Sequence, residues 1–334
     1  MADSTALFAT QLRLELMARN RFYARGRAHV ESYGSAPVIV YEPEGGRHGN
    51  FFDAAYAAIC ARPEWMRRFE KVHAQAARSL PKPRLGPARR WRELDSSMSS
   101  DALLMNIFCA PDVAESTAVH NALGVEGNAE PEFGWKARVP LRSGKLDRTE
   151  VDMRFGSLLA EAKLTESDFQ CREARIVEAY RDFDEVFDRD LLPRVEIATA
   201  RPRRASEHPE NLSQEFESEL GDAESCGVID PVIRPAGEPG YASYQLIRNV
   251  LAAHASEASF CVIHDGRRPD LREEWFGVMA AVKSAAMRVR LKVLTWQELA
   301  ALLPEALQEF LDLKYGIVAP GRAPSPIGDQ ITTN

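Results

Sequence analysis

The sequence contains no long apolar run and few cysteines. No stretch reaches the roughly 18 consecutive apolar residues that a membrane-spanning helix needs, and charged residues interrupt the apolar ones throughout Met1 to Leu16. A membrane protein and a cleaved secretory leader are therefore not expected. The five cysteines are odd in number and form no CxxC pair, which disfavours a disulfide framework or a zinc ribbon. We expect a cytoplasmic protein.

Several familiar catalytic signatures are also missing. The seven histidines form no HExxH motif, no GxSxG elbow occurs, and the glycines after Pro43 lack the lysine and the length of a phosphate-binding loop. Zinc-peptidase and serine-hydrolase chemistry therefore have no support in the sequence.

Charge is unevenly distributed along the 334 residues, whose formal net charge is −7. Ten Lys or Arg and only two Glu lie between Arg62 and Arg92, whereas every charged side chain from Glu207 to Glu224 is acidic. The negative total disfavours a general nucleic-acid binder. The basic stretch suits either contact with a phosphate backbone or an ordinary solvated helix flank.

Hydrophobic spacing predicts an α/β fold, a mixed central β-sheet flanked by helices. We divide the chain into a mostly helical N-terminal extension (1–90), a second domain (91–318) with a long loop at about 200–240, and a flexible tail (319–334). Helices are expected at Glu173 to Phe187 and at Trp296 to Tyr315, among others.

The segment from Thr149 to Glu166 carries the clearest local pattern. Gly156 and Ser157 suit a two-residue hairpin turn, which would place Phe155 opposite Leu158, Asp152 opposite Glu161, and Glu150 opposite Lys163. Side chains alternate along a strand. One face would then be wholly apolar, from Val151 to Leu164, and the other would be charged apart from Leu159.

Two opposed carboxylates are the chemical feature of that charged face. Asp152 and Glu161 would repel each other, and a divalent cation between them removes the conflict because Mg²⁺ prefers hard oxygen ligands. Lys163 points the same way and can orient a water molecule or offset charge that develops on a phosphate. A solvated charge ladder in which Glu150 pairs with Lys163 is the simpler alternative. In the metal-site interpretation, the same register makes Glu150 the supporting residue that is expected to hold Lys163 in place.

Asp152 followed by Glu161-Ala162-Lys163 resembles the PD-(D/E)XK nuclease superfamily, whose fold is restriction-endonuclease-like. The words SSDALLMNIF (Ser99 to Phe108), RTEVD, EAKLTESDF and YQLIRNVLAA (Tyr244 to Ala253) are similar to a group of uncharacterised bacterial proteins placed there. The resemblance spans about Trp91 to Ile317. It departs from the pattern at Val151, where the superfamily has the proline of its name.

This resemblance implies a metal-dependent nuclease that uses Mg²⁺ or Mn²⁺. Asp152 and Glu161 would be metal ligands, Lys163 the catalytic lysine, and a nucleic acid, DNA first, the partner. Many members add a further glutamate, for which the candidates are Glu93, Glu115 and Glu132. We place Glu132 first because it precedes the expected strand from Phe133.

Gln245 and Arg248 share the polar face of the helix expected at Tyr241 to His254. They are candidates for contact with phosphate, although a polar outer face is usual for an amphipathic helix. Two other functions remain open. One is a catalytically inert nuclease fold that binds nucleic acid or a partner protein, and the other is a metal-dependent hydrolase of a small phosphorylated molecule.

Overall fold

The structure is a computed structural model that describes residues 2–34, 36–73, 80–83, 90–127, 129–197 and 237–324. Most of the predicted loop at 200–240, much of the basic stretch after residue 73, and the end of the predicted tail lie outside the described residues. No described helix is both long and apolar enough to cross a membrane.

The described chain alternates helices and strands. The strands are β1 His29–Glu31, β2 Ile39–Tyr41, β3 Pro43–Glu44, β4 Arg47–His48, β5 Pro131–Lys136, β6 Val139–Pro140, β7 Leu146–Asp147, β8 Glu150–Phe155, β9 Leu158–Ala162, β10 Arg172–Glu173, β11 Arg194–Ile197, β12 Glu238–Tyr241, β13 Ser259–His264 and β14 Leu291–Thr295. The α-helices are α1 Ala2–Tyr23, α2 Asp53–Ala61, α3 Pro63–Phe69, α4 Ser100–Phe108, α5 Thr117–Leu123, α6 Ala174–Val177, α7 Phe183–Val186, α8 Tyr244–Ala255, α9 Pro269–Ala280, α10 Ala285–Arg288, α11 Trp296–Ala300 and α12 Glu305–Tyr315.

A five-stranded sheet organises the fold, in the order β14-β13-β9-β8-β5. The three strands β5, β8 and β9 pair antiparallel, and β13 pairs parallel with both β9 and β14. An antiparallel hairpin thus continues into a parallel half whose connections are helical. The predicted α/β fold with a mixed sheet is confirmed.

Both faces of this sheet are covered. Alternate side chains of β9 enter different clusters, Ala160 with α4 and the N-terminal helices, and Leu159 with α8 and α9. Because side chains alternate along a strand, burial on both faces explains why β9 is apolar at nearly every position. The single acidic side chain within β9, that of Glu161, is therefore buried.

The N-terminal helix α1 packs against the C-terminal helix α12. Leu12 and Leu16 lie in the same apolar cluster as Leu307 and Leu311. Arg19 also donates a hydrogen bond to the carbonyl of Asp312, at 3.1 Å. The N-terminal residues therefore contribute to the same core as the central sheet. The proposed division near residue 90 stays a prediction.

Two helix predictions were wrong in extent. The segment 173–187 forms two short helices. Between them, Tyr180 makes a backbone bridge to Leu141, and its hydroxyl donates a hydrogen bond to the carboxylate of Asp147. The segment 296–315 also splits in two. Pro304 cannot continue a helix that begins before it, and it stands instead as the N-cap of α12.

Candidate active site

The β8–β9 hairpin has the predicted turn. Gly156 has a φ of +59°, which favours glycine, and Phe155 pairs with Leu158 and Met153 with Ala160. The antiparallel ladder between the two strands ends there, and the carboxylate of Asp152 accepts a hydrogen bond from the backbone N–H of Ala162 at 2.7 Å. Asp152 therefore lies where the two strands begin to part.

The predicted division of side chains between two faces holds for most of the hairpin. Met153, Phe155, Leu158, Ala160, Ala162 and Leu164 all enter the cluster that contains α4. Val151 is the exception, since it packs in the opposite cluster beside Leu159. The change coincides with an interruption of the β5–β8 ladder opposite Asp152, where Gly134 has a left-handed φ of +61°.

Glu161 and Lys163 form a buried ion pair at the end of β9. Their closest charged atoms, Oε1 and Nζ, are 3.1 Å apart, and the side chains are 3% and 6% exposed. Helix α8 supplies a partner to each. Gln245 accepts a hydrogen bond from the Lys163 ammonium at 2.6 Å, and Asn249 donates one to Glu161 Oε2 at 2.7 Å. Both charged groups are thus held in a fixed orientation from one helix.

Glu150 does not hold Lys163, so this part of the predicted register was wrong. Its carboxylate pairs with Lys71 Nζ at 3.1 Å, and its Cα partner is Lys136 on β5. The reason is that β8 and β9 are paired only near their turn, from Phe155–Leu158 to Met153–Ala160, and separate farther from it. The backbone N–H of Lys163 bonds to the carbonyl of Ile263, at 2.8 Å, so this residue follows β13 rather than β8.

Arg248, predicted as a phosphate contact, is only 5% exposed. Its guanidinium donates to the backbone carbonyl of Glu150 at 3.1 Å and to the side-chain oxygen of Asn249 at 3.0 Å. In this arrangement Arg248 orients Asn249, whose amide reaches Glu161. Sequence reasoning missed Asn249, although it lies four positions after Gln245 and hence on the same helix face.

The structure does not bring Glu132 to Asp152. The Glu132 carboxylate is 59% exposed and lies 3.6 Å from Arg154. Of the other two candidates, Glu115 is exposed before α5, and Glu93 pairs with Arg68 at 3.1 Å. The ladder position of Glu132, opposite Arg154 rather than opposite Asp152, accounts for its distance from the centre.

Asp101 is the acidic side chain that sequence reasoning missed. It lies in the first turn of α4, whose N-cap Ser99 accepts a hydrogen bond from the backbone N–H of Ala102. Its carboxylate forms an ion pair with Arg68 and acts electrostatically on Asp152. The residue lies within the word SSDALLMNIF, but it is an aspartate, whereas the further acidic residue was expected to be a glutamate.

The electrostatics of the site are dominated by buried negative charge. Burial, together with the carboxylates of Glu161 and Asp101, raises the pKa of Asp152 well above its usual range. Burial lowers the pKa of Lys163, but Glu161, Glu166 and Asp152 outweigh that effect, so the net shift is upward. The lysine is therefore cationic at neutral pH, while Asp152 lacks a full counter-charge.

This donor set suits a hard divalent cation. Carboxylate oxygens are the ligands that Mg²⁺ and Mn²⁺ prefer, and a cation beside Asp152 and Glu161 would remove the repulsion that raises the pKa of Asp152. Within the described part of the chain, no three His, Cys, Asp or Glu side chains are gathered closely enough to hold a metal ion. The Asp101 carboxylate, which could be a third ligand, is bound by Arg68.

The chain can be assigned to a protein family. The sequence matches the family described as "Restriction Endonuclease associating with ARP" over residues 18–316, a range that includes the hairpin, α4, α8 and most of the N-terminal 90 residues. No curated protein and no solved structure matches the chain. The expected affiliation with restriction-endonuclease-like proteins is confirmed, and the chain belongs to the family of restriction endonucleases associating with ARP.

Proposed function

We propose that this protein is a metal-dependent nuclease that hydrolyses phosphodiester bonds, with DNA as its first expected substrate. The observation that supports the proposal is the arrangement of Asp152 and Glu161 beside one buried ammonium, that of Lys163. A purely structural role would leave Asp152 unexplained, because a buried carboxylate with a raised pKa destabilises a fold at neutral pH.

In this proposal Asp152 and Glu161 hold the divalent cation, Mg²⁺ or Mn²⁺. Such a cation lowers the pKa of a bound water and offsets charge on the phosphate. The water oxygen adds to phosphorus and releases one proton to the solvent, the bond from phosphorus to the leaving oxygen breaks, and the leaving oxygen takes up one proton from the solvent, so that one water is consumed for each bond cleaved. The surrounding side chains would orient the water and stabilise the charge of the transition state.

Lys163 has the role of orienting the attacking water or stabilising the extra negative charge of the transition state. Gln245 accepts a hydrogen bond from one of the three ammonium N–H groups, and Glu161 pairs with the same ammonium. The direction of the remaining N–H bond is thereby fixed. Asn249 fixes the opposite oxygen of Glu161, so that one carboxylate oxygen faces the lysine and the other faces α8.

The proposal is tested by cleavage assays on Glu161→Ala and Lys163→Ala with Mg²⁺ or Mn²⁺, on single-stranded DNA, double-stranded DNA, RNA and a mononucleotide. Both substitutions should abolish cleavage, while circular dichroism should show that the fold is retained. Lys136→Ala, on the exposed side of the adjoining β5 strand, is the matched control and should cleave like the wild type. Unchanged cleavage by both site variants would refute the assignment.

The same assays, together with measurements of nucleic-acid binding and calorimetric titration with metal, separate the two alternatives. Nucleic-acid binding without cleavage, and without calorimetric binding of millimolar Mg²⁺ or Mn²⁺, identifies an inert binding module. Hydrolysis of the mononucleotide alone identifies a hydrolase of small phosphorylated molecules, a substrate class compatible with the net charge of −7.

A further inference from the structure

Arg68 of helix α3 reaches the acidic centre from a part of the chain that the hairpin motif does not include. Its side chain is 8% exposed. One guanidinium nitrogen forms the ion pair with Asp101, and another lies 3.1 Å from the carboxylate of Glu93. Within the described residues, its buried Nε atom has no hydrogen-bond partner.

A glycine on β5 gives Arg68 room to approach. Gly134 lies between the ladder pairs that flank Asp152, and a Cβ atom there would be 3.2 Å from Cδ of Arg68. Most residues would also be strained by the φ of +61°. The arginine side chain therefore lies close to β5 at Gly134, the residue of that strand that has no side chain, beside the position of Asp152 on β8.

The charge balance of the centre explains what a cation in that position does. Lys163 is paired with Glu161, and Arg68 is shared between Asp101 and Glu93. A guanidinium stays protonated at any physiological pH. Arg68 therefore gives the Asp101 carboxylate a positive partner within the protein, and among the described residues no three acidic side chains are gathered closely enough to hold a metal ion.

We propose that Arg68 is a built-in counter-ion that stabilises the metal-free protein and competes with the divalent cation for Asp101. The inference rests on the proposed function, and it names Asp101 as the third metal ligand. When the cation binds, it replaces the positive charge of the guanidinium at Asp101. Arg68 is then a positioning residue that sets the metal affinity, and α3 belongs to the active site.

The test measures metal binding and unfolding rather than activity. Arg68→Met removes the charge but keeps much of the side-chain volume, whereas Arg68→Lys keeps the charge. Arg62→Met is the matched control, since Arg62 precedes the same helix, pairs with Glu130 at 2.6 Å and packs over the Trp65 ring. Each protein is titrated with Mg²⁺ by calorimetry and by thermal unfolding, starting from the chelator-treated state.

Arg68→Met should unfold at a lower temperature in chelator, bind Mg²⁺ roughly three- to tenfold more tightly, and gain more stability from Mg²⁺ than the wild type does. Arg68→Lys should bind Mg²⁺ within about twofold of the wild type. Arg62→Met should leave Mg²⁺ affinity unchanged. An arginine with only a structural role would lower stability without tightening metal binding.

Unchanged or weaker Mg²⁺ binding by a folded Arg68→Met protein overturns the inference alone. Absence of Mg²⁺ binding by the wild type overturns the proposed function together with it. If Arg68→Met does not fold, Asp101→Asn decides. This variant should weaken Mg²⁺ binding by about tenfold, because it loses one charged ligand, and unchanged binding overturns the inference.

Discussion

Glu274 gives the protein a pH-dependent stability that can be calculated from its surroundings. It lies in α9, and its carboxylate accepts a hydrogen bond from the hydroxyl of Ser243 at 2.8 Å. Burial raises the pKa of Glu274 from 4.5 to about 7; the bond from Ser243 opposes this rise, and the carboxylates of Asp168 and Asp270 add to it. Ser243 immediately precedes α8, the helix whose side chains hydrogen-bond to Glu161 and Lys163.

The sign of the effect follows from the direction of this shift. The folded protein keeps a proton on Glu274 between pH 4.5 and about 7, whereas the unfolded chain loses it near its ordinary pKa. The contribution to stability is therefore complete below about pH 4.5 and is lost as the pH rises through about 7. A shift of this size corresponds to roughly 3 kcal/mol.

Glu274→Gln removes the ionisable group and keeps an oxygen that can accept the bond from Ser243. At pH 8 we expect the variant to be more stable than the wild type by up to about 3 kcal/mol, which for a chain of this length raises Tm by roughly 4 °C. At pH 5 the two proteins should differ little. Urea and thermal unfolding at both pH values, in chelator, measure the difference.

The exposed neighbour Glu273 provides the control, and Glu273→Gln should change neither the stability nor its pH dependence. The reasoning is refuted if Glu274→Gln shows no gain at pH 8, or if its gain is the same at pH 5 and pH 8. Either result would mean that burial does not penalise the ionised form of Glu274.

Two further substitutions test the surroundings of the hairpin. Arg268→Ala should lower the free energy of unfolding, measured in urea, by about 3–5 kcal/mol. The substitution leaves the buried Asp270 without its cation and the carbonyls of Glu166 and Ser167 without their hydrogen-bond donor. A loss below about 1 kcal/mol would contradict this. Asn249→Ala should raise the Mg²⁺ concentration for half-saturation by about tenfold, as loss of a group that orients a ligand does. Asn121→Ala, on an exposed part of α5, should leave that value unchanged, and equal values for both variants would contradict the role of Asn249.

Local patterns were sufficient to predict the hairpin. The turn at Gly156, the pairing of Phe155 with Leu158, and the alternation of buried side chains all follow from residues within a few positions of one another. The same reasoning failed at Glu150. Whether two strands stay paired beyond a given residue depends on their other neighbours, here β5 and β13, which the hairpin sequence does not contain.

The remaining parts of the site join distant segments of the chain. Asn249 and Glu161 are 88 residues apart, and Arg68 and Asp101 are 33 residues apart. Spacing within one helix identifies which residues share a face, but not what that face packs against. The polar face of α8 was therefore recognised through Gln245, while the carboxylate that Asn249 contacts depended on tertiary packing.

The packing of α1 against α12 has a consequence for the order of events during synthesis. The apolar face of α1, with Leu12 and Leu16, is translated almost three hundred residues before its partners Leu307 and Leu311. Contacts so distant in sequence close slowly and late. A ribosome-bound chain that lacks α12 therefore exposes this face, which makes it a target for chaperones. We expect the core to close only after translation has passed residue 315.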